Sequence, residues 1–193
     1  MTAIRALIGL GNPGQQYEHT RHNAGAWFIE ALARACNTPL RPEKKFFGQY
    51  AKITYQGHEL HLLVPTTFMN RSGQAVSSLA KFFKLPTSAF LVAHDELDIP
   101  AGQARLKQGG GHGGHNGLRD IISAQGNDRE FMRLRLGIDH PGNAKLVTNH
   151  VLSAPGKAER QSIDGAIDAS IDVLPLLLQG DSARAMSQLH SIK

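Results

Sequence analysis

The sequence predicts a single α/β domain over residues 1–193, with a mixed, mostly parallel twisted sheet flanked by helices on both faces. Short apolar runs typical of buried strands alternate with segments whose apolar residues recur at helical spacing. Two strand-like segments are separated only by a turn around Gly57, which predicts an antiparallel hairpin and makes the sheet mixed. No linker or composition break divides the chain.

The first half of the chain predicts three strands and two helices. The apolar run Ile4–Leu10 closes on a glycine turn, as a buried strand does. Apolar residues of Asn23–Cys36 fall on one helical face. The segments Gln49–Tyr55 and Glu59–Val64 form the hairpin. Helical spacing returns in Ser72–Lys84, and a proline soon after it ends the helix.

The second half predicts three more strands and three helices. The strands are apolar runs, and the helices follow either a glycine-rich loop or the polar segment near the carboxyl end. The predicted strands are Ala89–Ala93, Ala104–Lys107 and Phe131–Ile138, and the predicted helices are Leu118–Ala124, Ala158–Gln179 and Ser182–His190.

Composition limits the classes of protein to which the chain can belong. Lys and Arg number 21 against 16 Asp and Glu, a net charge of +5 that is compatible with a polyanionic partner but does not establish one. The single cysteine, Cys36, excludes an internal disulfide framework and fits a reducing compartment. No signal peptide or membrane-spanning stretch is recognisable, so we expect a soluble, cytoplasmic protein.

Four polar motifs stand at turns or strand ends far apart in the sequence. Glycines let backbone approach a ligand closely, while Asn and His supply hydrogen bonds and a base without fixed charge. Gathered on one scaffold, such groups predict a site that handles amide or ester substrates. The motifs are Gly9–Gly14 continuing to Thr20–Asn23, Phe68–Asn70, His94–Glu96 and Gly113–Gly117.

His22 and Asp95 are the predicted base and its orienting partner. A lone histidine is more often a surface or packing residue, but Asp95 ends a buried strand and brings a carboxylate to the same sheet edge. An Asp that accepts a hydrogen bond from one imidazole nitrogen fixes the tautomer and raises the basicity of the other. We interpret Glu96 and Asp98 as loop residues facing solvent.

The sequence offers no obvious nucleophile. Gly-x-Ser-x-Gly is absent and Cys36 ends a helix away from the loops, so water activated by His22 is the predicted nucleophile. A metal ion is the alternative activator, because His112 and His115 lie close together with His94 and Asp95 as further ligands. No His-Glu-x-x-His or cysteine spacing supports it, and we expect no metal.

Two glycine-rich segments resemble nucleotide-binding loops only in outline. Gly9-x-Gly11-x-x-Gly14 follows a strand, but Pro13 removes a backbone donor and the acidic-ended second strand is missing, so we expect no cofactor. We interpret the motif as a turn that presents Asn12 at the sheet edge. In Gln108–Gly117, six of ten residues are glycine and no Lys-Ser/Thr follows. This loop predicts a mobile flap whose Asn116 reaches a ligand.

Basic residues lie near these loops. Arg133 and Arg135 alternate along one strand and therefore point to one face, and Lys107 lies on a candidate neighbouring strand. One interpretation is a sheet edge whose cations face solvent without a binding role. The functional interpretation is a clamp, a pair of cations that binds one phosphate group. Arg21 and Arg119 are also close to the motifs.

The motifs together resemble the signature of the bacterial peptidyl-tRNA hydrolase family. The resembling segments are residues 9–25, 65–73, 94–98 and 111–118, in the family's order, and the resemblance runs from the first strand to the carboxyl-terminal helices. The sequence departs from the family at Asp139, where the pattern has glycine before His-Pro or Arg-Pro.

The resemblance implies hydrolysis of the ester that joins a peptide to the ribose of tRNA, with peptidyl-tRNA as partner, no cofactor, and a monomeric enzyme. It makes His22 the general base, Asp95 its partner, and Asn12 the contact that distinguishes N-blocked peptides from free aminoacyl groups. By the same resemblance, the substrate main chain and the attacking water are held by Asn70 and Asn116. The crevice walls, which also contact the tRNA end, are formed by Tyr17, Phe68 and Met69. The terminal phosphate is bound by Lys107 and Arg135.

Two other classes remain as alternatives. One is a metal-dependent peptidase or amidase on a similar scaffold, and the other is an RNA-binding protein without catalysis. Neither explains the three asparagines, His22 and Asp95 as one set.

Overall fold

A seven-stranded sheet forms the centre of the computed structural model, which describes residues 2–192. Its strand order is β2-β3-β4-β1-β5-β7-β6. The strands are β1 (Ala6–Gly9), β2 (Arg41–Glu43), β3 (Gly48–Tyr55), β4 (His58–Pro65), β5 (Phe90–Glu96), β6 (Ala104–Gln108) and β7 (Met132–Gly137).

The four central strands β4, β1, β5 and β7 run parallel, and the strands on either side of them are antiparallel. The predicted hairpin is β3–β4, whose register runs from Gly48 opposite Pro65 to Tyr55 opposite His58. Because β1 lies between β4 and β5, the carboxyl ends of three parallel strands meet at one edge. Ligands of α/β sheets bind at such an edge.

Helices cover both faces of the sheet, which confirms the predicted fold class. One face packs against α1, α5 and α6, and the other against α2 and α3. The helices are α1 (Ala24–Ala35), α2 (Ser72–Phe83), α3 (Asn116–Ala124), α4 (Val147–Val151), α5 (Lys157–Leu178) and α6 (Ser182–His190).

Two glycines bring the start of α1 against the sheet. A Cβ at Gly9 would collide with the backbone of Gly25, and one at Gly25 would collide with the backbone of Ala93. The helix therefore starts in direct contact with β1 and β5. The short 3₁₀ turn Arg21–Asn23, which directly precedes α1, is thus held beside the carboxyl end of β5.

The structure differs from the sequence prediction mainly at element ends. Strand β5 continues three residues beyond the predicted end at Ala93, so His94 and Asp95 are buried strand residues. Strand β2 and helix α4 were not predicted, because three exposed or half-exposed residues and a five-residue helix show too little periodicity.

Asp139 explains how the chain tolerates the departure from the family pattern. Its backbone is left-handed, with φ of 62°, a conformation that glycine adopts most easily and that Asp tolerates better than most residues. Its Oδ1 also accepts a hydrogen bond from the Ala101 backbone N–H at 3.1 Å. The aspartate therefore ties two loops together.

Helix α5, the longest at 22 residues, carries charged residues along its length. Within residues 2–192, every helix is too short or too polar to cross a membrane.

Candidate active site

The carboxylate of Asp95 is the centre of the site. It lies at the end of β5 with 4% of its surface exposed. The Nδ1 atom of His22 lies 3.0 and 2.9 Å from its two oxygens, and the Nε2 atom of His115 lies 2.7 Å from Oδ1. The predicted pairing of His22 with Asp95 is therefore present, and a second imidazole shares the same carboxylate.

Hydrogen bonds at the far side of each ring assign the proton positions. The Nδ1 atom of His115 accepts from the backbone N–H groups of Gly117 at 3.1 Å and Leu118 at 3.4 Å, which caps the start of α3. Nε2 of His115 must then carry the proton that it donates to Asp95. His22 contacts Asp95 through Nδ1 alone, so its Nε2 is left as the acceptor within the cavity that His22 lines.

Electrostatics favour an anionic Asp95 and a basic His22. Burial alone would raise the pKa of Asp95, but the imidazoles of His22 and His115, which both contact the carboxylate, hold it well below its usual range. Burial would likewise lower the pKa of His22, yet the charge of Asp95 and its hydrogen bond raise it above the ordinary value. This environment stabilises the imidazolium that forms when His22 takes up a proton.

His94 is a neutral neighbour of this pair. It is buried, and its Nδ1 donates to the backbone carbonyl of Asp95 at 2.7 Å. Burial, together with the nearby His115, lowers the pKa of His94 to about 4, so it stays uncharged near neutral pH. Its ring contacts His115 edge-on at 5.2 Å, which restricts the position of His115.

Asn12 is fixed by three hydrogen bonds. Its backbone N–H donates to Asn23 Oδ1 at 2.9 Å, and its carbonyl accepts from Asn23 Nδ2 at 3.0 Å. Its side-chain Oδ1 accepts from the Met69 backbone N–H at 2.7 Å. The oxygen of the Asn12 amide is therefore occupied, and its Nδ2 is the group left to donate to a ligand.

These residues line a cavity of about 550 Å³. Helix α4 and the glycine-rich loop form two of its walls, and Phe68 stands at its rim with 58% of its surface exposed. Tyr17 does not line this cavity and instead packs edge-on against Phe68 at 6.3 Å. The other sequence-predicted residues in the lining are Asn12, His22, Met69, Asn70, Asp95 and Asn116.

The basic residues lie on one face of the β6–β7 pair, as predicted. Arg133 is opposite Lys107, and Arg135 is opposite Arg105, so Lys107 and Arg135 are diagonal neighbours. Arg133 is buried and donates to the carbonyls of Gly110 and Gly111, which anchors the start of the glycine-rich loop.

Glu96 corrects an interpretation made from the sequence. It is not a solvent residue, because it ends β5, lines the cavity and accepts from Arg135 Nε at 2.9 Å. Burial would raise its pKa, but the hydrogen bond from Arg135 lowers it below the ordinary value. Asp98 is exposed, as expected.

Within the part of the chain that the structure describes, His22, Asp95 and His115 form one group whose ligand atoms lie within 4.8 Å of one another. The predicted alternative pair differs, because His112 Nδ1 accepts from Gly114 N–H within its own loop at 2.9 Å. In the group around Asp95, an imidazole proton from each side already satisfies the carboxylate. The set thus has the composition of a metal site and the hydrogen bonding of a proton-transfer site.

Comparison with known proteins identifies the family. The family model described as peptidyl-tRNA hydrolase matches residues 6–193. The chain belongs to the peptidyl-tRNA hydrolase family. The peptidyl-tRNA hydrolase of Chromohalobacter salexigens is 63% identical over 99% of this chain and 98% of its own length. That of Pseudomonas putida is 59% identical over the full length of both chains. The crystal structure of peptidyl-tRNA hydrolase from Acinetobacter baumannii superposes with a TM-score of 0.95 at 47% identity, covering all of this chain and 97% of that one.

The structure adds two residues to those predicted from the sequence to act in the site. His115 was interpreted from the sequence only as a metal ligand, since histidine is not among the usual helix-capping residues. Arg21 precedes His22 and was noted only as a nearby cation.

Arg21 joins the turn that carries His22 to the carboxyl-terminal part of the chain. Its Nε donates to Glu159 at 2.7 Å, and its Nη1 donates to the His150 carbonyl at 3.0 Å and the Ser153 hydroxyl at 2.7 Å. Helix α4, one wall of the cavity, is therefore tied to the turn that carries His22.

Proposed function

We propose that this member of the peptidyl-tRNA hydrolase family cleaves the ester between peptide and tRNA by attack of a water molecule that His22 deprotonates. The observation that carries the proposal is the orientation of His22. Its Nδ1 is bound to Asp95, which leaves Nε2 as an acceptor in a cavity lined by amide donors. An ester with a good leaving group needs a positioned water and a base rather than a strong nucleophile.

In the proposed reaction, His22 accepts a proton from water and later donates it to the leaving group. As water attacks the ester carbonyl, Nε2 of His22 takes one proton and the resulting imidazolium is stabilised by Asp95. The carbonyl oxygen becomes an oxyanion, for which the side-chain amides of Asn70 and Asn116 are the candidate donors. When the tetrahedral intermediate collapses, the ribose oxygen leaves and receives the proton from His22. The products are a peptide with a free carboxyl group and tRNA with a free hydroxyl.

His115 serves as a positioning residue in this scheme. It donates to the same oxygen of Asp95 that His22 approaches at 3.0 Å, and its other nitrogen is fixed by the start of α3. Asp95 is therefore held from two sides, which fixes the orientation of His22.

Asn12 distinguishes peptidyl from aminoacyl substrates. Its free Nδ2 donates to the carbonyl of the amide that blocks the α-amino group of the substrate. A free aminoacyl group has an ammonium in place of that amide and offers no carbonyl there. A site built to donate a hydrogen bond rejects an analogue that lacks the acceptor.

Lys107 and Arg135 bind the terminal phosphate of the tRNA, and Tyr17 and Phe68 contact the tRNA end at the rim. Lys107 and Arg135 lie diagonally on the β6–β7 pair, a separation that lets two cations approach one phosphate from different sides. The protein acts as a cytoplasmic monomer without metal or cofactor, and its product is tRNA recycled from prematurely released peptidyl-tRNA.

The decisive assay measures release of peptide from N-blocked aminoacyl-tRNA by the native protein with and without a chelator. The proposal expects equal rates in both conditions. Loss of turnover with chelator, restored by added metal, would instead support a metal-dependent hydrolase at His22, Asp95 and His115. Binding of tRNA without any ester cleavage would support a non-catalytic RNA-binding protein.

A further inference from the structure

An exposed aromatic ring among lysines lies on α2, outside the catalytic cavity. Phe82, near the end of α2, is 56% exposed. The ammonium of Lys45 lies 4.3 Å from the centre of its ring. The rings of Phe46 and Phe83 contact Phe82 edge-on at 5.4 and 4.9 Å. The Phe82 ring is therefore fixed by its neighbours while much of it stays open to solvent.

Further lysines and a second exposed ring surround this contact. The 3₁₀ turn Lys44–Phe46 packs against α2, and Phe47, directly after the turn, is 39% exposed. We call this set the lysine–phenylalanine patch, and its members are Lys44, Lys45, Phe47, Phe82 and Lys84. Its three lysines are exposed, and they form no ion pair within residues 2–192.

The segment that contains the patch carries all of the excess charge of the protein. Residues 44–94 contain six Lys and Arg but one acidic residue, Glu59, which pairs with Lys52. The whole chain has 21 Lys and Arg and 16 Asp and Glu, so the other residues carry 15 of each. The positive potential is therefore concentrated in this segment, and its complement is a polyanion.

The patch is separate from the cations proposed to bind the substrate tRNA. Lys107 and Arg135 are on β6 and β7, whereas the patch lies on α2 and beside the start of β3. Four strand intervals separate β3 from β7, about 19 Å at the usual spacing of neighbouring strands. Asp95, on β5, lies between them. A tRNA that enters the cavity from the β6–β7 side therefore approaches from the side opposite the patch.

The form of the patch favours a nucleic acid over a membrane surface. A helix that lies on a membrane presents a continuous apolar face, but the apolar face of α2 is buried through Val76, Leu79 and Ala80. What stays exposed is separate phenyl rings among lysines. Unpaired bases stack on such rings while cations neutralise the adjacent phosphates, and proteins bind single strands in this way.

We propose that the lysine–phenylalanine patch binds a single-stranded segment of an RNA other than the substrate tRNA, so that both are held at once. One base stacks on Phe82 in place of the Lys45 ammonium, which moves to a neighbouring phosphate. The contact that is lost is a cation–π contact at an exposed site, which is weaker than base stacking. Lys44 and Lys84 neutralise further phosphates. This binding goes beyond the proposed hydrolysis and does not depend on it.

The test measures the Kd of the full chain for a fluorescein-labelled oligouridylate of about twelve nucleotides by fluorescence anisotropy. Phe82→Leu keeps an apolar side chain but removes the ring, and should raise the Kd about 10-fold. Phe82→Trp keeps a stacking surface and should leave the Kd within about 2-fold of the native value. Lys45→Gln should raise the Kd about 3-fold and flatten the dependence of log Kd on log salt by about 0.7.

Two control variants remove a cation elsewhere, and neither should change the Kd. Lys157→Gln is at an exposed position at the start of α5, which packs on the other face of the sheet. Lys107→Gln removes a cation of the proposed substrate site. Phe82→Leu should cleave N-acetyl-aminoacyl-tRNA with native kcat and KM, which also shows that it folds. If the native protein cleaved no ester, the proposed function would fail while the binding result would stand.

Four outcomes would overturn the RNA site. Native affinity in Phe82→Leu would exclude stacking on this ring, and equal losses in Phe82→Leu and Phe82→Trp would indicate apolar docking instead. A raised Kd in Lys107→Gln would place the oligouridylate at the substrate site, and a raised KM for the tRNA substrate in Phe82→Leu would assign the patch to the substrate tRNA. Binding to vesicles with anionic lipid, but not to oligouridylate, would identify a membrane surface as the partner.

Discussion

Two charged regions of this protein lie on neighbouring strands and are built differently. Around Asp95, both carboxylate oxygens accept hydrogen bonds, and the His115 imidazole also caps the start of α3. The Nε2 atom of His22 is left as an acceptor. Along β6 and β7, Lys107 takes part in none of the ion pairs found among residues 2–192, and Arg135 is held only by Glu96.

The difference matches what the two regions are proposed to do. Proton transfer depends on the position of one nitrogen to within a fraction of an ångström, so a fixed and buried network suits it. Attraction of a polyanion acts over the Debye length, about 8 Å at physiological salt, and tolerates loose side chains. Substitutions in the first region should therefore change turnover, and those in the second should change affinity and salt dependence.

The largest effect is expected from His22→Ala. A base acts on the transition state, so turnover should fall about 10²–10⁴-fold or more while substrate affinity stays close to that of the native protein. His19→Ala is the matched control, because its side chain is three residues away and 74% exposed. Single-turnover kinetics on N-blocked aminoacyl-tRNA measure the effect. Near-normal turnover in His22→Ala would rule out water activation by this residue.

Asp95→Asn should have the next largest effect, on the order of 10–100-fold in turnover. Asp95 raises the pKa of His22, so loss of its charge should lower that pKa. Because the base must be deprotonated, the limb on which activity rises with pH should move to lower pH. Asp98→Asn, at an exposed position nearby, should leave the profile unchanged. An unmoved limb in Asp95→Asn would mean that the carboxylate does not tune His22.

The contrast also shows what could be predicted from sequence. Asp95 ends a parallel strand and His22 precedes a helix that packs on that strand, so topology alone brings them to one edge. The role of His115 depends on its ring orientation, which is fixed by where α3 begins. The helix was predicted to begin at Leu118 but begins at Asn116, so the sequence did not indicate that His115 caps it. The exposure of Glu96 was mispredicted because β5 was predicted to end three residues early.

Asn12→Asp should change discrimination more than turnover. The substitution keeps the oxygen that accepts from Met69 N–H and replaces the Nδ2 donor by a carboxylate. A carboxylate attracts the free ammonium of aminoacyl-tRNA and repels the carbonyl of a blocked substrate. The ratio of kcat/KM for N-acetylated aminoacyl-tRNA to kcat/KM for free aminoacyl-tRNA should decrease about 10- to 100-fold. The control is Asn127→Asp, at an exposed position in a loop. Equal losses on both substrates would make Asn12 a structural turn residue.

The smallest effects are expected at the basic edge. Lys107→Gln and Arg135→Gln should each raise KM for full tRNA substrates about 3- to 10-fold and flatten the dependence of log KM on log salt by about one unit. Lys81→Gln on α2 is the control for loss of one exposed cation.

The effects of the two basic substitutions should differ, and the difference separates phosphate binding from the effect of releasing Glu96. Arg135→Gln also releases the carboxylate of Glu96, which lines the catalytic cavity, so its effect should exceed that of Lys107→Gln. Adding Glu96→Gln to Arg135→Gln removes the released charge and should recover part of the loss. A short N-blocked ester without phosphate should be cleaved slowly, and Lys107→Gln should not change that rate. If the short ester loses as much activity as the tRNA substrate, Lys107 supports the glycine-rich loop, whose Gly110 lies beside its side chain, rather than a phosphate.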